Sequence, residues 1–192
     1  MERFFNTAGP NRPNFNYTLD PLKRFDLDEI LTLIHQAKYF VLHAPRQTGK
    51  TSCLLALRDY LNQRDDYICV YANVEGGQAS RNDVQSVVKS TIDTIAEETR
   101  GIIKNDFPWD LSASVRTLGK DTMLSAFLRR LSEALPKPLI LFLDEIDALV
   151  GDSLVSVLRQ VRAGYQNRPA AFPQSIVLCG VRDVRDYRIV LG

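Results

Sequence analysis

The stretch Tyr39-Phe-Val-Leu-His-Ala-Pro-Arg-Gln-Thr-Gly-Lys-Thr51 decides the fold of this 192-residue chain. It opens with apolar, β-favouring residues up to His43, which indicate a buried strand. From Lys50 to about Asn62, apolar residues recur at helical spacing. The sequence therefore predicts a strand, a short loop and a helix in direct succession.

The loop between that strand and that helix matches the phosphate-binding pattern GxxxxGK[ST] except at its first position, which is Ala44. A glycine at position 49 lets the backbone approach a phosphate closely, and the helix N-terminus behind it favours an anion. Lys50 can reach the β- and γ-phosphates, and the Thr51 hydroxyl can ligate Mg²⁺. The alternative is a surface loop that carries Gly-Lys-Thr by chance, but the flanking strand and helix favour phosphate binding. The predicted nucleotide-binding residues of the loop are Pro45, Arg46, Gln47, Thr48, Gly49, Lys50, Thr51 and Ser52.

An acidic pair, Asp144-Glu145, directly follows the apolar run Leu139-Ile-Leu-Phe-Leu143. Ligands of open α/β sheets bind at the carboxyl ends of strands, which is where this pair is predicted. Asp144 is the expected Mg²⁺ residue, and Glu145 is the expected base that orients and deprotonates a water. Alternatively, both carboxylates cap the next helix; that interpretation is preferred only for Asp147.

Strands and helices alternate along the rest of the chain, which predicts a three-layer α/β/α sandwich with a mostly parallel sheet. The glutamate after Asp144 indicates hydrolysis, and the interval after Lys50 leaves room for the extra strand of additional-strand ATPases. Ser80-x-x-Asp83 resembles a capping box, and the stretch 101–119 has no clear assignment. The other predicted strands and helices cover, in chain order, about 26–37, 67–74, 80–99, 124–135, 139–143, 154–165 and 175–179, with a possible fifth strand at 189–191.

Composition excludes several classes of protein. Hydrophobic residues make up 45% and charged residues 24%, as in ordinary globular domains, so a disordered chain or a coiled-coil rod is excluded. The net charge of +1 does not indicate a nucleic-acid or membrane partner, although nucleic acid stays possible. Three cysteines without CxxC spacing favour buried free thiols in a reducing compartment, and the expected location is cytoplasmic.

Arginines supply further candidates. Arg182 follows the predicted strand 175–179 and could sense the γ-phosphate electrostatically, as a catalytic residue beside Lys50 and Glu145. The alternative is a solvated arginine in a charged stretch. Arg159 and Arg162 share a helix face, and a solvated face is preferred there over arginine fingers.

These motifs together resemble the AAA+/STAND superfamily of P-loop NTPases, and most closely the bacterial AAA-like ATP-binding proteins. That family usually carries Ala-Pro-Arg-Gln at its phosphate loop, so Ala44 agrees with the resemblance. The strand before the sensor often ends in a hydroxyl pair plus Arg, whereas Cys179-Gly-Val181 precede Arg182 here. The segments that carry the resemblance are 5–10, Tyr17, Pro21-Leu22-x-Arg24, 39–51, 141–148 and 178–183.

The resemblance implies that residues 1–25 form an irregular segment packed near the nucleotide base and that residues 26–192 form the P-loop ATPase core. Family members continue into a helical lid, whereas this sequence stops at Gly192, so we expect a truncated core without a lid and slow hydrolysis. A protein partner or self-association is also implied. The implied base-site residues are Tyr17, Pro21, Leu22, Arg24 and Phe25.

Three hypotheses about function follow. The first is an ATP-binding, Mg²⁺-dependent ATPase with ATP and ADP as its ligands. The second is a nucleotide-dependent switch or adaptor with little turnover, and the third is a subunit of a DNA-linked ATPase. The near-zero net charge argues mildly against the third.

Overall fold

Four parallel strands form the sheet of this computed structural model, which describes residues 4–5, 14–17, 19–45, 47–80 and 83–180. The strand order is β1-β4-β3-β2, and every neighbouring pair is parallel. β4 therefore separates β1, which leads into the phosphate loop, from β3, which ends in Asp144. This order confirms the additional-strand α/β prediction; the possible strand at 189–191 lies outside the described residues. The strands are β1 (Phe40–His43), β2 (Ile68–Asn73), β3 (Leu139–Asp144) and β4 (Ser175–Gly180).

Helices cover both faces of the sheet, as the three-layer prediction requires. One face packs against α1 and α2, and the other packs against α3, α5 and α6. α4 contacts α3 and α5 rather than a strand. The helices are α1 (Leu27–His35), α2 (Lys50–Gln63), α3 (Val84–Ile103), α4 (Phe107–Val115), α5 (Met123–Ala134) and α6 (Gly151–Ala163).

The strand β3 shows why the sequence contains an unbroken apolar run. Ile140 and Phe142 pack with the α1 and α2 side of the core, whereas Leu141 and Leu143 pack with the α3, α5 and α6 side. All four side chains are fully buried. A parallel strand covered on both faces has no solvent side, so apolar residues occupy both alternations. The buried strand places its carboxyl end, with Asp144, at the edge that faces the phosphate loop.

Two predicted helix starts were wrong. α3 begins at Val84, and Asp83 rather than Ser80 is its N-cap, because the Asp83 side chain accepts hydrogen bonds from the backbone N–H groups of Gln85 and Ser86. α6 begins at Gly151 with Val150 as its N-cap, so Asp147 does not cap it. Asp147 lies instead in a 3₁₀ turn, Ile146–Ala148, that comes before the helix.

The stretch 101–119 contains the end of α3 and the short helix α4. α3 continues to Ile103 and ends where Lys104 adopts a left-handed conformation, with φ of 53°. α4 begins at Phe107, and Pro108 lies in its first turn, where a missing N–H costs nothing. Within the described residues, no helix is both long enough and apolar enough to cross a bilayer.

Candidate nucleotide-binding site

The phosphate loop connects the end of β1 to the first residue of α2. Gly49 is the N-cap of α2 and has a φ of +79°, a left-handed conformation that glycine adopts without strain. Gln47 also has a positive φ, of 61°. The first N–H groups of a helix have no acceptor within the helix, so the start of α2 at Lys50 provides backbone donors for an anion.

The side chain of Lys50 is folded over this loop. Its ammonium donates to the backbone carbonyl oxygens of Ala44 at 2.8 Å and of Pro45 at 3.0 Å. The Thr48 hydroxyl donates to the same Pro45 carbonyl at 2.8 Å. These contacts hold the ammonium at the loop, where a phosphate would be a stronger acceptor than neutral carbonyl groups.

The loop and the acidic pair meet through a direct hydrogen bond. The Thr51 hydroxyl donates to Oδ2 of Asp144 at 2.9 Å, and Asp144 is fully buried. The Tyr71 hydroxyl donates to the same Oδ2 at 2.8 Å, and the Glu145 N–H donates to Oδ1 at 3.0 Å. Cys179 lies at the end of β4, one residue beyond the pairing of Leu143 with Leu178, and so next to Asp144. We call Thr51, Tyr71, Asp144 and Cys179 the Asp144 cluster.

Burial and charge shift the pKa values of two members of the cluster, Tyr71 and Cys179. Burial, followed by the charge of Asp144, raises the pKa of the Tyr71 hydroxyl and of the Cys179 thiol. Both groups therefore stay protonated at neutral pH. The Tyr71 hydroxyl therefore acts toward the Asp144 carboxylate as a hydrogen-bond donor.

Glu145 lies directly after the strand end and is half-buried. Its φ of 57° is left-handed, which turns the chain sharply after Asp144. Burial and the charges of Asp144, Asp147 and Glu75 raise the pKa of the Glu145 carboxyl, and the charge of Lys50 partly opposes this shift. A raised carboxyl pKa increases the basicity that a water-activating residue needs.

The residues around Asp144 fit a magnesium ion of the type found in nucleotide sites. Such an ion takes one or two protein oxygens, and phosphates and waters complete its shell. Thr51 and Asp144 present two oxygens 2.9 Å apart, and Asp144 is a buried carboxylate at the end of a strand. Within the described ranges no cluster of three or more His, Cys, Asp or Glu side chains forms a metal cage, and a site of this type does not need one.

A cavity of about 270 Å³ adjoins the phosphate loop. Two of the five predicted base-site residues, Arg24 and Phe25, line it together with Lys50 and Thr48. The Arg24 guanidinium lies against Gly49, at the place where a side chain on that glycine would begin. The remaining lining residues are Leu42, His43, Ala44, Cys53, Leu54, Leu57 and Cys179.

The other three base-site candidates lie outside the lining of that cavity. Pro21 and Leu22 belong to the 3₁₀ turn Pro21–Arg24, whose Asp20 N-cap accepts from the Leu22 N–H. The Pro21 carbonyl accepts from the Cys53 thiol at 3.4 Å, which ties the turn to α2. Tyr17 is exposed and stacks on Phe5, with ring centroids 5.0 Å apart.

Two predicted site residues, Arg46 and Arg182, lie outside the described residues. Gln47 is exposed, and Pro45 and Ser52 lie in the loop and in the first turn of α2. Arg159 and Arg162 are both exposed on α6, as either a solvated face or a pair of arginine fingers would be.

Sequence reasoning missed Tyr71 and Cys179. A signal for Tyr71 was present, since a hydroxyl in an otherwise apolar buried strand usually has a hydrogen-bond partner. The partner depends on the strand register: Asn73 pairs with Asp144, which brings Tyr71, two residues earlier, to the same face of the sheet. The register of the two strands cannot be predicted from a single sequence.

The model of the AAA domain family matches residues 33–187, which is more than half of the chain. A comparison with curated proteins finds no significant match.

Several solved structures have a similar fold. Cdc6p from Pyrobaculum aerophilum has 22% identity and a TM-score of 0.50, over 86% of this chain and 41% of that one. Drosophila ORC bound to poly(dA/dT) DNA and Cdc6 has 10% identity and a TM-score of 0.53, over 85% of this chain and 25% of that one. Drosophila ORC bound to DNA has 11% identity and a TM-score of 0.51, over 90% of this chain and 27% of that one.

The chain thus spans between a quarter and about two fifths of the length of these solved structures. At such identities the likeness concerns the fold alone. The family model, by contrast, covers the phosphate loop, the acidic pair and β4 in one match. This chain therefore belongs to the AAA domain family of P-loop nucleoside triphosphatases.

Proposed function

We propose that this chain is the core of an ATP-binding, Mg²⁺-dependent ATPase. The observation that carries the proposal is the 2.9 Å hydrogen bond between Thr51 and Asp144. It joins the phosphate-binding loop to the acidic strand end, the two parts that hold phosphates and metal in P-loop enzymes. Family membership supports nucleotide binding in general. Thr51 and Asp144 are the basis for proposing that the nucleotide is bound with Mg²⁺.

Each residue of the site has one role in the proposal. The loop amides and Lys50 bind the phosphates, while Thr51 and Asp144 hold Mg²⁺. A bound Mg²⁺ would supply positive charge that offsets the negative charge of the phosphates. Glu145 orients the attacking water and accepts its proton, and Arg182 reads the γ-phosphate.

The nucleotide base belongs, in this proposal, near the N-terminal segment 1–25, next to the core 26–192. Arg24 and Phe25 are the favoured base-site or ribose-site residues because they line the cavity beside the loop. Pro21 and Leu22 belong to the same 3₁₀ turn as Arg24 and are retained as candidates. Tyr17 is retained as a candidate on the resemblance alone.

A nucleotide-dependent switch of the STAND type is the alternative within the same site. In that case a protein partner, or a second copy of the chain, receives the signal, and ATP acts as a ligand with little turnover. Binding without multiple turnover of the wild type would favour this alternative.

A DNA-linked ATPase is the second candidate function. It is favoured by the similarity in fold to Drosophila ORC, since those structures contain bound DNA. The net charge of +1 argues against a strong intrinsic DNA site in this chain. DNA-stimulated turnover would favour this candidate.

The cysteines support a reducing, cytoplasmic location for the proposed ATPase. Cys53, Cys69 and Cys179 are free thiols, and the last two are buried. Structural disulfides are rare in the cytosol, where thiols stay reduced.

Glu145→Gln tests the hydrolytic part of the proposal. The amide keeps the size of the side chain but cannot accept a proton, so ATP binding should persist while turnover falls about 10²- to 10⁴-fold. Single-turnover hydrolysis with radiolabelled ATP, beside equilibrium binding, measures both effects.

The matched control is Glu133→Gln, the same change at an exposed position of α5. It should leave binding and turnover at the wild-type level. Turnover that survives in Glu145→Gln would contradict the assigned base.

A further inference from the structure

Two hydroxyl groups from different elements donate to one oxygen of Asp144. Thr51 comes from α2, and its hydroxyl lies 2.9 Å from Oδ2. Tyr71 comes from β2, the strand next to β3, and its hydroxyl lies 2.8 Å from the same oxygen. Asp144 is fully buried, so these donors and the Glu145 N–H fix the plane of the carboxylate.

The two donors differ in what they do when a nucleotide binds. In the proposed function, Thr51 belongs to the metal site and its oxygen turns toward the ion. Tyr71 is only 9% exposed and belongs to the sheet, below the first turns of α2. Its contact with Asp144 therefore does not depend on the state of the phosphate loop.

We infer that Tyr71 is a positioning residue of the magnesium site, whose hydroxyl holds Oδ2 of Asp144 in place for the ion. The inference rests on the proposed function and extends it to a residue on β2. Groups that hydrogen-bond a metal-binding carboxylate orient it, and their loss typically costs 10- to 100-fold in metal affinity.

The aromatic ring of Tyr71 has a separate structural role. It packs with the apolar side chains of Phe142 and Leu57 on the α1 and α2 side of the core. Phenylalanine keeps that packing and removes only the hydroxyl. Tyr71→Phe thus separates positioning of Asp144 from filling of the core.

The test is a magnesium titration of ATP binding, measured by calorimetry at fixed ATP concentration. In Tyr71→Phe, the Mg²⁺ concentration for half-maximal enhancement of binding should rise about tenfold. Affinity for ATP in EDTA should change far less, because the phosphate loop is intact. A midpoint equal to the wild-type value would overturn the inference, as would an equal loss of affinity with and without Mg²⁺.

Tyr39→Phe is the matched control for loss of a shielded tyrosine hydroxyl. The Tyr39 hydroxyl donates to the Pro173 carbonyl at 2.9 Å, before the amino ends of β1 and β4 and away from Asp144. This variant should keep the wild-type magnesium midpoint. A shift in Tyr39→Phe as large as that in Tyr71→Phe would show that general destabilisation causes the effect, and it would overturn the inference.

A double-mutant cycle with Asp144→Asn covers the case in which Tyr71→Phe is less stable. If Tyr71 acts through Asp144, its substitution should add nothing to the midpoint of Asp144→Asn. An undiminished tenfold shift in that background would contradict the inference. If ATP binding to the wild type did not depend on Mg²⁺, the metal part of the proposed function and this inference would both be overturned. If the wild type responded to Mg²⁺ and Tyr71→Phe had the same Mg²⁺ midpoint, only this inference would be overturned.

Discussion

At the scale of single residues, Gly49 combines two requirements of the phosphate loop. Its φ of +79° is a conformation that residues with a side chain adopt at a cost, and the Arg24 guanidinium occupies the space next to its Cα. The same residue allows the loop backbone to approach a phosphate. One position therefore links the local backbone, the N-terminal turn and the nucleotide site.

Gly49→Ala should weaken ATP binding by more than tenfold and destabilise the fold by about 1–2 kcal/mol, the cost of the left-handed conformation for an L-residue. Nucleotide titration and urea unfolding measure the two effects. Gly101→Ala is the control, since its added methyl group meets nothing within 4 Å. Because Gly101 lies inside α3, that change should stabilise the chain by about 0.5–1 kcal/mol. Normal ATP affinity in Gly49→Ala would argue against close approach of a phosphate at this position.

The residue scale also shows what the sequence reveals about the site. The contact of Thr51 with Asp144 follows from motif spacing, because both motifs end at the carboxyl edge of one sheet. Tyr71 and Cys179 join them through strand order and register. Those are tertiary properties, so no local pattern identifies these two side chains.

At the scale of elements, one buried side chain of α6 caps the start of α5. The Gln160 carbonyl oxygen accepts from the N–H groups of Leu124 at 2.8 Å and Ser125 at 3.4 Å. Its amide nitrogen donates to the Lys120 carbonyl at 2.8 Å and to the Ser156 hydroxyl at 3.1 Å. Thr122, the N-cap of α5, makes no such side-chain bond itself.

Gln160→Leu should therefore destabilise the chain by about 2–4 kcal/mol, because it leaves buried donors and acceptors at the start of α5 without partners. Chemical denaturation followed by circular dichroism measures the change. The exposed Gln166 provides the matched control, since its side chain caps no helix among the described residues and Gln166→Leu should change stability by less than about 0.5 kcal/mol. Equal stability of both variants would contradict the capping role.

Element boundaries illustrate which parts of the fold the sequence can predict. β3 and α2 can be predicted from the sequence, because an apolar run and apolar residues at helical spacing are local patterns. The start of α6 was mispredicted since Asp147 is chemically suited to a cap but lies in a 3₁₀ turn close to Gly180. α4 was missed because it is short, contains Pro108 and packs on helices rather than on the sheet.

At the scale of the whole molecule, the strand order and the family match agree on a P-loop core of the additional-strand class. The order places β4 between the two motif strands, so Cys179 at its end lies next to Asp144. Composition and the net charge of +1 restrict the class of protein without identifying a site. The motifs and the sheet together form the candidate nucleotide site. The partner differs between the proposed functions.

The most direct test of the account is a calorimetric titration of ATP into the wild type and into Lys50→Ala, with Mg²⁺ present. Lys50 provides the cation at the phosphate loop, held at 2.8 Å by the Ala44 carbonyl in this structure. We predict one ATP bound per wild-type chain and no measurable binding to a folded Lys50→Ala. Wild-type affinity in Lys50→Ala would contradict the assignment of this loop as the nucleotide site.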